Sequence, residues 1–341
     1  MAKARIRIFY PLTFGSIVLR TENDWYRDVA ADHVSEDRTM HEFLIETGAP
    51  CLNFKSCIRD GDRLIWSEGT NKIVFLNKDN IQDVYPHYFS GLQGIISEMQ
   101  EVPSPIMGRS QRVRVYLPAG YWENRLKRYP VVYMHDGKNL FFPEEAFLGR
   151  EWMVDENLDL LDSMNLVDQT IVVGIFAGDR MNDYTQPGYE RYGRSLVEEL
   201  KPWIDSRYRT LSDARHTGVM GSSLGGVVSF YLAWEWPQVF GNAACLSSTF
   251  SYQDDLVERV LIEPVQPREN SKFYLDSGWP GDNYEVTLHM ANALIRRGFA
   301  FGRDVMYFAF PLAEHSEAAW SARCHLPFQL FSGKLRRAAE G

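Results

Sequence analysis

The stretch Thr217-Gly218-Val219-Met220-Gly221-Ser222-Ser223-Leu224-Gly225-Gly226 decides how this chain is read. It opens on a short apolar run, crowds three glycines and two serines into six residues, and continues into Val227 to Trp234, apolar on nearly every side. That order predicts a strand over Thr217 to Met220, a sharp turn, and a buried helix over Leu224 to Trp236 stopped by Pro237. Gly221 and Gly225 frame Ser223 as G-x-S-x-G, and a turn tight enough to present a hydroxyl at its apex needs small residues around it. Ser222 lies beside it but out of frame.

Outward from this point the chain alternates strands and helices. Val131 to Met134, Thr170 to Ile175, Ala243 to Leu246, Phe273 to Leu275 and Val305 to Ala309 are almost continuously apolar, as parallel strands covered on both faces must be. Arg112 to Leu117 alternates instead and suits an antiparallel strand beginning the same sheet. Helical patterns fall at Trp152 to Met164, Tyr192 to Tyr208, Glu285 to Arg297 and Ser316 to Phe331. The class is α/β: a mostly parallel sheet with helices on both faces, over residues 109–341.

Residues 1–98 have a different rhythm. Short β-like runs at Arg5 to Tyr10, Ser16 to Arg20, Glu42 to Glu46, Leu52 to Ile58, Arg63 to Ser67 and Lys72 to Leu76 are punctuated by turns such as Asp60-Gly61-Asp62. They predict a small immunoglobulin-like β-sandwich. The aperiodic segment 99–108, with Pro103 and Pro105, reads as a linker.

A serine hydroxyl needs a base to take its proton, and an acid to orient that base. Of the eight histidines, His315 follows the last apolar strand and precedes a helix, where it can reach across the sheet edge. His33, His41 and His87 lie in the front segment, His289 and His325 in predicted helices, and His216 at the opposite end of the Ser223 strand. The acid is expected after the penultimate strand: Asp282 in the loop, with Asp276 and Glu285 as alternatives. The backbone N–H groups of Leu224 and of Lys138, in His135-Asp136-Gly137-Lys138-Asn139, are the candidate oxyanion donors, Gly137 letting that backbone approach an acyl oxygen. His135 shapes that loop. Phe141, Trp152, Phe176, Tyr184, Trp279 and Trp320 are candidates for a substrate wall, and Arg180 with Asp183 for a salt bridge. Since these catalytic candidates all follow Arg112, the front segment is expected to shape substrate access rather than chemistry.

The net charge of −9 opposes phosphate-backbone binding, so nucleic acid is not an expected partner. No apolar run reaches the ~18 residues of a membrane span, nor is there a signal-peptide core. Four cysteines without C-x-x-C spacing read as free thiols in a reducing, cytoplasmic setting, and no metal or cofactor is expected. A small-molecule ester is the expected partner; the oligomeric state is left open.

Tyr129-Pro-Val-Val-Tyr-Met-His-Asp-Gly-Lys-Asn-Leu-Phe141, Ile171-Val-Val-Gly-Ile175, Glu199-Leu-Lys-Pro-Trp-Ile-Asp205, Gly221-Ser-Ser-Leu-Gly-Gly226 and His315-Ser-Glu-Ala-Ala-Trp320 resemble the esterase family that includes enterochelin (siderophore) esterases, feruloyl esterases and S-formylglutathione hydrolase. The resemblance implies an α/β-hydrolase fold over residues 109–341 and metal-free hydrolysis of a carboxylic ester by a Ser223, His315 and Asp282 triad. It also implies that the front segment is an E-set or glycogen-binding-type module, on Asn23-Asp-Trp25 and Asn53-Phe-Lys-Ser56. Where relatives often carry Gly-x-x-Glu or Gly-x-x-Asp, this chain has Gly278-Trp-Pro-Gly-Asp282, one residue longer, so a Ser–His dyad stays open. Acyl transfer from the same acyl-enzyme and a non-catalytic carbohydrate-binding protein are the other readings compatible with the sequence.

Overall fold

The computed structural model describes residues 2–76, 81–264 and 271–334. Among these, a nine-stranded sheet runs in the order Ile95–Ile96, Gln111–Leu117, Ile171–Phe176, Val131–Met134, Thr217–Ser222, Asn242–Leu246, Lys272–Trp279, Val305–Pro311, with Gln100–Val102 also paired to Gln111–Leu117. The strands from Ile171–Phe176 onward are parallel. Alternate residues enter opposite cores, as the two-residue strand period dictates. Val131, Val219, Ala243 and Phe273 pack with the Leu224–Glu235 and Tyr284–Arg296 helices. Val132, Met220, Ala244 and Tyr274 pack with the Val154–Ser163 and His325–Ser332 helices.

Three departures from the sequence reading have physical causes. The single helix expected over Tyr192 to Tyr208 is Gly188–Ser195, a π turn Leu196–Leu200, and Lys201–Arg207; Pro202 has no N–H to continue an α ladder, so the turn before it widens. The helix after His315 divides into Glu317–Ser321 and His325–Ser332. The segment read as a linker carries Gln100–Val102, which joins the main sheet with Gln100 opposite Val113.

The front segment forms two sheets around one core that includes Ile6, Ile8, Leu19, Phe43, Leu52 and Phe54. The Asp24–Ala30 strand there was not legible, because it is largely exposed and carries no apolar alternation.

The register fixes where this module sits. Gln111–Leu117 is antiparallel to its neighbour, with Arg112 opposite Phe176 and Tyr116 opposite Val172, so the chain leaves it at the amino-terminal ends of the parallel strands. The module is anchored just there. Glu123 accepts from Tyr10 Oη at 3.0 Å, Tyr88 N at 2.7 Å, Phe89 N at 3.0 Å and Ser90 Oγ at 2.6 Å. Asn124 Nδ2 donates to Phe9 O at 2.9 Å and Pro86 O at 2.8 Å. These contacts lie across the sheet from Ser223, and they do not support the expectation that the module shapes access to it.

One pH effect follows from the helix Val154–Ser163. Burial first, and the charge of Glu156 second, push Asp155 from 3.8 up to about 7. A carboxyl raised on folding contributes stability that is complete below its unfolded value and lost as pH rises through its folded value. Asp155→Asn is therefore expected to raise Tm at pH 8 by on the order of 2 °C and to leave it unchanged at pH 4, read by thermal unfolding at both pH values.

Candidate active site

Ser223 stands between the strand Thr217–Ser222 and the helix Leu224–Glu235 with φ 54° and ψ −120°. A non-glycine residue held at positive φ stores strain that the surroundings must maintain. Here its N–H donates to Leu246 O at 2.9 Å, tying the turn to the next strand. A Cβ on Gly221 would lie 2.6 Å from the Gly225 backbone, and one on Gly226 would lie 1.8 Å from Ser248 Oγ. Glycine is thus demanded most at 221 and 226; a Cβ on Gly225 would meet nothing closer than 3.4 Å.

Asp282 and His315 are brought together: His315 Nδ1 lies 2.7 Å from Asp282 Oδ1. The other donors to the carboxylate are Asn283 N at 2.7 Å on Oδ1, Gly278 N at 2.8 Å on Oδ2, and Ser247 Oγ on Oδ2. Burial alone would raise this carboxyl, but His315, Ser247, Gly278 and Asn283 outweigh it and hold it at about 2. An ionised carboxylate only accepts, so the ring nitrogen facing it carries the hydrogen and Nε2 is left with its lone pair. The imidazole is 37% exposed and packs edge-on to Trp320 at 4.9 Å.

The rival acid, Asp276, is engaged elsewhere. It is fully buried, 3.0 Å from Arg323 Nε, and accepts from Tyr274 Oη at 2.8 Å. Burial lifts its carboxyl to about 6 against the pull of Arg323. Glu285 lies in the first turn of the Tyr284–Arg296 helix.

Ser223, Asp282 and His315 each follow the carboxyl end of a parallel strand, which is where open α/β sheets bind ligands. Among the described residues no hydrogen bond joins Ser223 Oγ to the imidazole. Leu224 opens its helix, so its N–H has no acceptor within it.

Lys138 lies in the 3-10 turn Gly137–Asn139 after the Val131–Met134 strand. The glycine before it has a reason beyond the expected one: a Cβ on Gly137 would meet Gly174 and Ile175 backbone at 2.7 to 2.8 Å, so it permits packing on the neighbouring strand. Asp136 enters this turn at φ 55°, donates its N–H to Tyr184 Oη at 3.1 Å, and accepts from Arg180 Nε at 2.9 Å and Nη2 at 3.0 Å. The expected Arg180–Asp183 bridge is replaced: Asp183 pairs with Arg109. Beneath the turn, burial drives His135 down to about 3, keeping it neutral, with Nδ1 3.0 Å from Tyr192 Oη.

Of the six wall candidates, Phe141 is packed in the core at 4% exposed and Phe176 lies under the Arg112 guanidinium; the other four separate. Trp279 is 48% exposed at the end of its strand and open to a ligand. Tyr184 at 0% and Trp152 at 1% are buried, so they act as supports rather than as a wall. Trp152 Nε1 donates to Glu317, which also accepts from Asn139 Nδ2 at 3.0 Å, joining the Lys138 turn to the helix that follows His315. Trp320, 5% exposed, donates Nε1 to Ser247 Oγ at 2.9 Å. Ser247, Glu317 and Arg323 were not legible as site residues; a charged residue such as Arg323 amid the apolar run before Phe328 was the one available signal.

The strand order and the strained serine turn define the molecule as an α/β-hydrolase. A family model described as "Putative esterase" matches residues 104–323, more than half of the chain, and the protein belongs to that esterase family. Its curated relatives include the uncharacterized YjcH of Bacillus subtilis, 29% identical over 163 residues, which are 46% of this chain and 61% of that protein. The chain thus spans about three fifths of that relative's length. Among solved structures, a ferulic acid esterase matches 70% of this chain and 98% of its own with TM-score 0.59 at 18% identity. The enterobactin esterase from Shigella flexneri, solved in the presence of enterobactin, matches 96% of this chain and 92% of its own with TM-score 0.58 at 14% identity. The second match takes in the front module as well as the sheet domain.

Proposed function

We propose that the protein is a serine esterase in which His315 deprotonates Ser223, Ser223 Oγ attacks the carbonyl carbon of a small-molecule carboxylic ester, and the Leu224 and Lys138 N–H groups hold the developing oxyanion. The imidazolium returns its proton to the departing alcohol. Water, deprotonated by the same imidazole, then attacks the acyl carbon, releasing the acid and the serine. Asp282 holds the ring in the Nδ1–H tautomer and balances its charge. An aromatic or siderophore-type acyl group is the first substrate class to try, since Trp279 is exposed beside the site. The front sandwich acts as an anchored module and not as a lid. Four free cysteines, three of them buried, suit a reducing cytoplasm.

The observation that supports this reading is the His315–Asp282 pair, Nδ1 to Oδ1 at 2.7 Å, lying at the same carboxyl end of the parallel sheet as the strained Ser223 turn. Labelling with a fluorophosphonate tests it: the intact protein is expected to take up the probe and Ser223→Ala to refuse it.

A further inference from the structure

Ser247 stands at the carboxyl end of the Asn242–Leu246 strand, fully buried and at φ 46°. Its backbone is held on both sides, the N–H donating to Asp276 O at 2.8 Å and the C=O accepting from Asn283 Nδ2 at 2.7 Å. Its hydroxyl meets Trp320 Nε1 at 2.9 Å, Arg323 Nη2 at 2.7 Å and Asp282 Oδ2. A serine hydroxyl has one hydrogen and two lone pairs, while indole and guanidinium nitrogens only donate. The two N–H groups therefore occupy both lone pairs, and the single hydrogen of Ser247 has nowhere to go but Asp282.

From this arrangement we infer that Arg323 and Trp320 are positioning residues that act through Ser247, locking its hydroxyl as a permanent donor to Asp282 and so fixing the carboxylate that orients His315. The inference rests on the esterase reading. It also gives Asp276 a role: at 3.0 Å from Arg323 Nε it holds the guanidinium so that Nη2 reaches Ser247. Arg323 is 3% exposed, so its placement is set by these partners and not by solvent. Trp320 serves twice, since its ring also lies edge-on against His315.

Steady-state kinetics on a p-nitrophenyl ester and a double-mutant cycle test this. Ser247→Ala removes only an oxygen, and it is expected to lower kcat by roughly 10- to 100-fold with KM unchanged, the range for a hydrogen bond to a charged group. Trp320→Phe keeps the ring and loses the donor; Arg323→Lys keeps the charge, but one Nζ cannot serve Asp276 and Ser247 together. Each is expected to lower kcat alone and to add little once Ser247 is alanine, because all three act on one hydrogen and Arg323 Nη2 otherwise comes no nearer Asp282 Oδ2 than 3.9 Å. Losses that multiply with that of Ser247→Ala, or wild-type kcat in Ser247→Ala, would overturn the inference. Fluorophosphonate labelling of the same variants keeps the two readings apart: Ser247→Ala with wild-type turnover and a labelled Ser223 sinks only this inference, whereas an unlabelled wild-type Ser223 sinks the esterase reading itself.

Discussion

Asp282→Asn is expected to lower kcat by roughly 10³- to 10⁴-fold, the scale of losing the orienting acid of a triad. Every group around this carboxylate is a donor: the His315 Nδ1 hydrogen, Asn283 N–H, Gly278 N–H and Ser247 O–H. An amide presents hydrogens to one of those pairs, so it must displace a neighbour or turn the imidazole into the tautomer that cannot accept from serine. The folded carboxyl is held at about 2, below its ordinary 3.8, so its contribution to stability is present above the ordinary value and lost as pH falls through about 2. Asp276→Asn has the opposite signature. It leaves Arg323 buried without its nearest counter-charge, at a cost of about 3 to 5 kcal/mol in stability, while kcat falls no further than in Ser247→Ala. Rates and urea unfolding curves for the two variants, side by side, check the assignment; equal loss of kcat in both would return Asp276 to contention.

Ser223→Ala and His315→Ala are each expected to lower kcat by roughly 10³-fold or more, and the double variant is expected to be no slower than the worse single one. Serine and imidazole act as one proton-transfer unit, so removing either leaves only binding and oxyanion stabilisation behind. Steady-state rates of the three variants decide this. Independent, multiplying losses would mean that the two side chains serve separate steps.

The serine turn and the parallel sheet were legible because they are local. Gly221, Ser223 and the apolar run to Trp234 lie within one window, and the buried strands declare themselves by continuous hydrophobicity. His315 and Asp282 were reachable through chain order alone. The rest depended on contacts between distant segments that no window contains. Whether Asp276 or Asp282 met the histidine turned on Arg323, which lies 47 positions after the first of them in the sequence and claims it in the fold. Ser247 could not be singled out, since its role comes from Trp320, Arg323 and Asp282 converging on one hydroxyl. Gly137 was read only for its approach to an acyl oxygen; its packing against the Ile171–Phe176 strand joins segments that no window contains. The front module's position followed from the antiparallel register of Gln111–Leu117, a pairing that composition does not encode.

The most direct test of the central claim is the site of a covalent adduct. After reaction with a fluorophosphonate, the protein is digested and its peptides are mapped by mass spectrometry. The account predicts one phosphonylated residue, Ser223, formed quickly in the wild type, slowly in His315→Ala, and absent in Ser223→Ala. An adduct on Ser222 or on any other residue, or a wild-type protein that stays unmodified while folded, would contradict it.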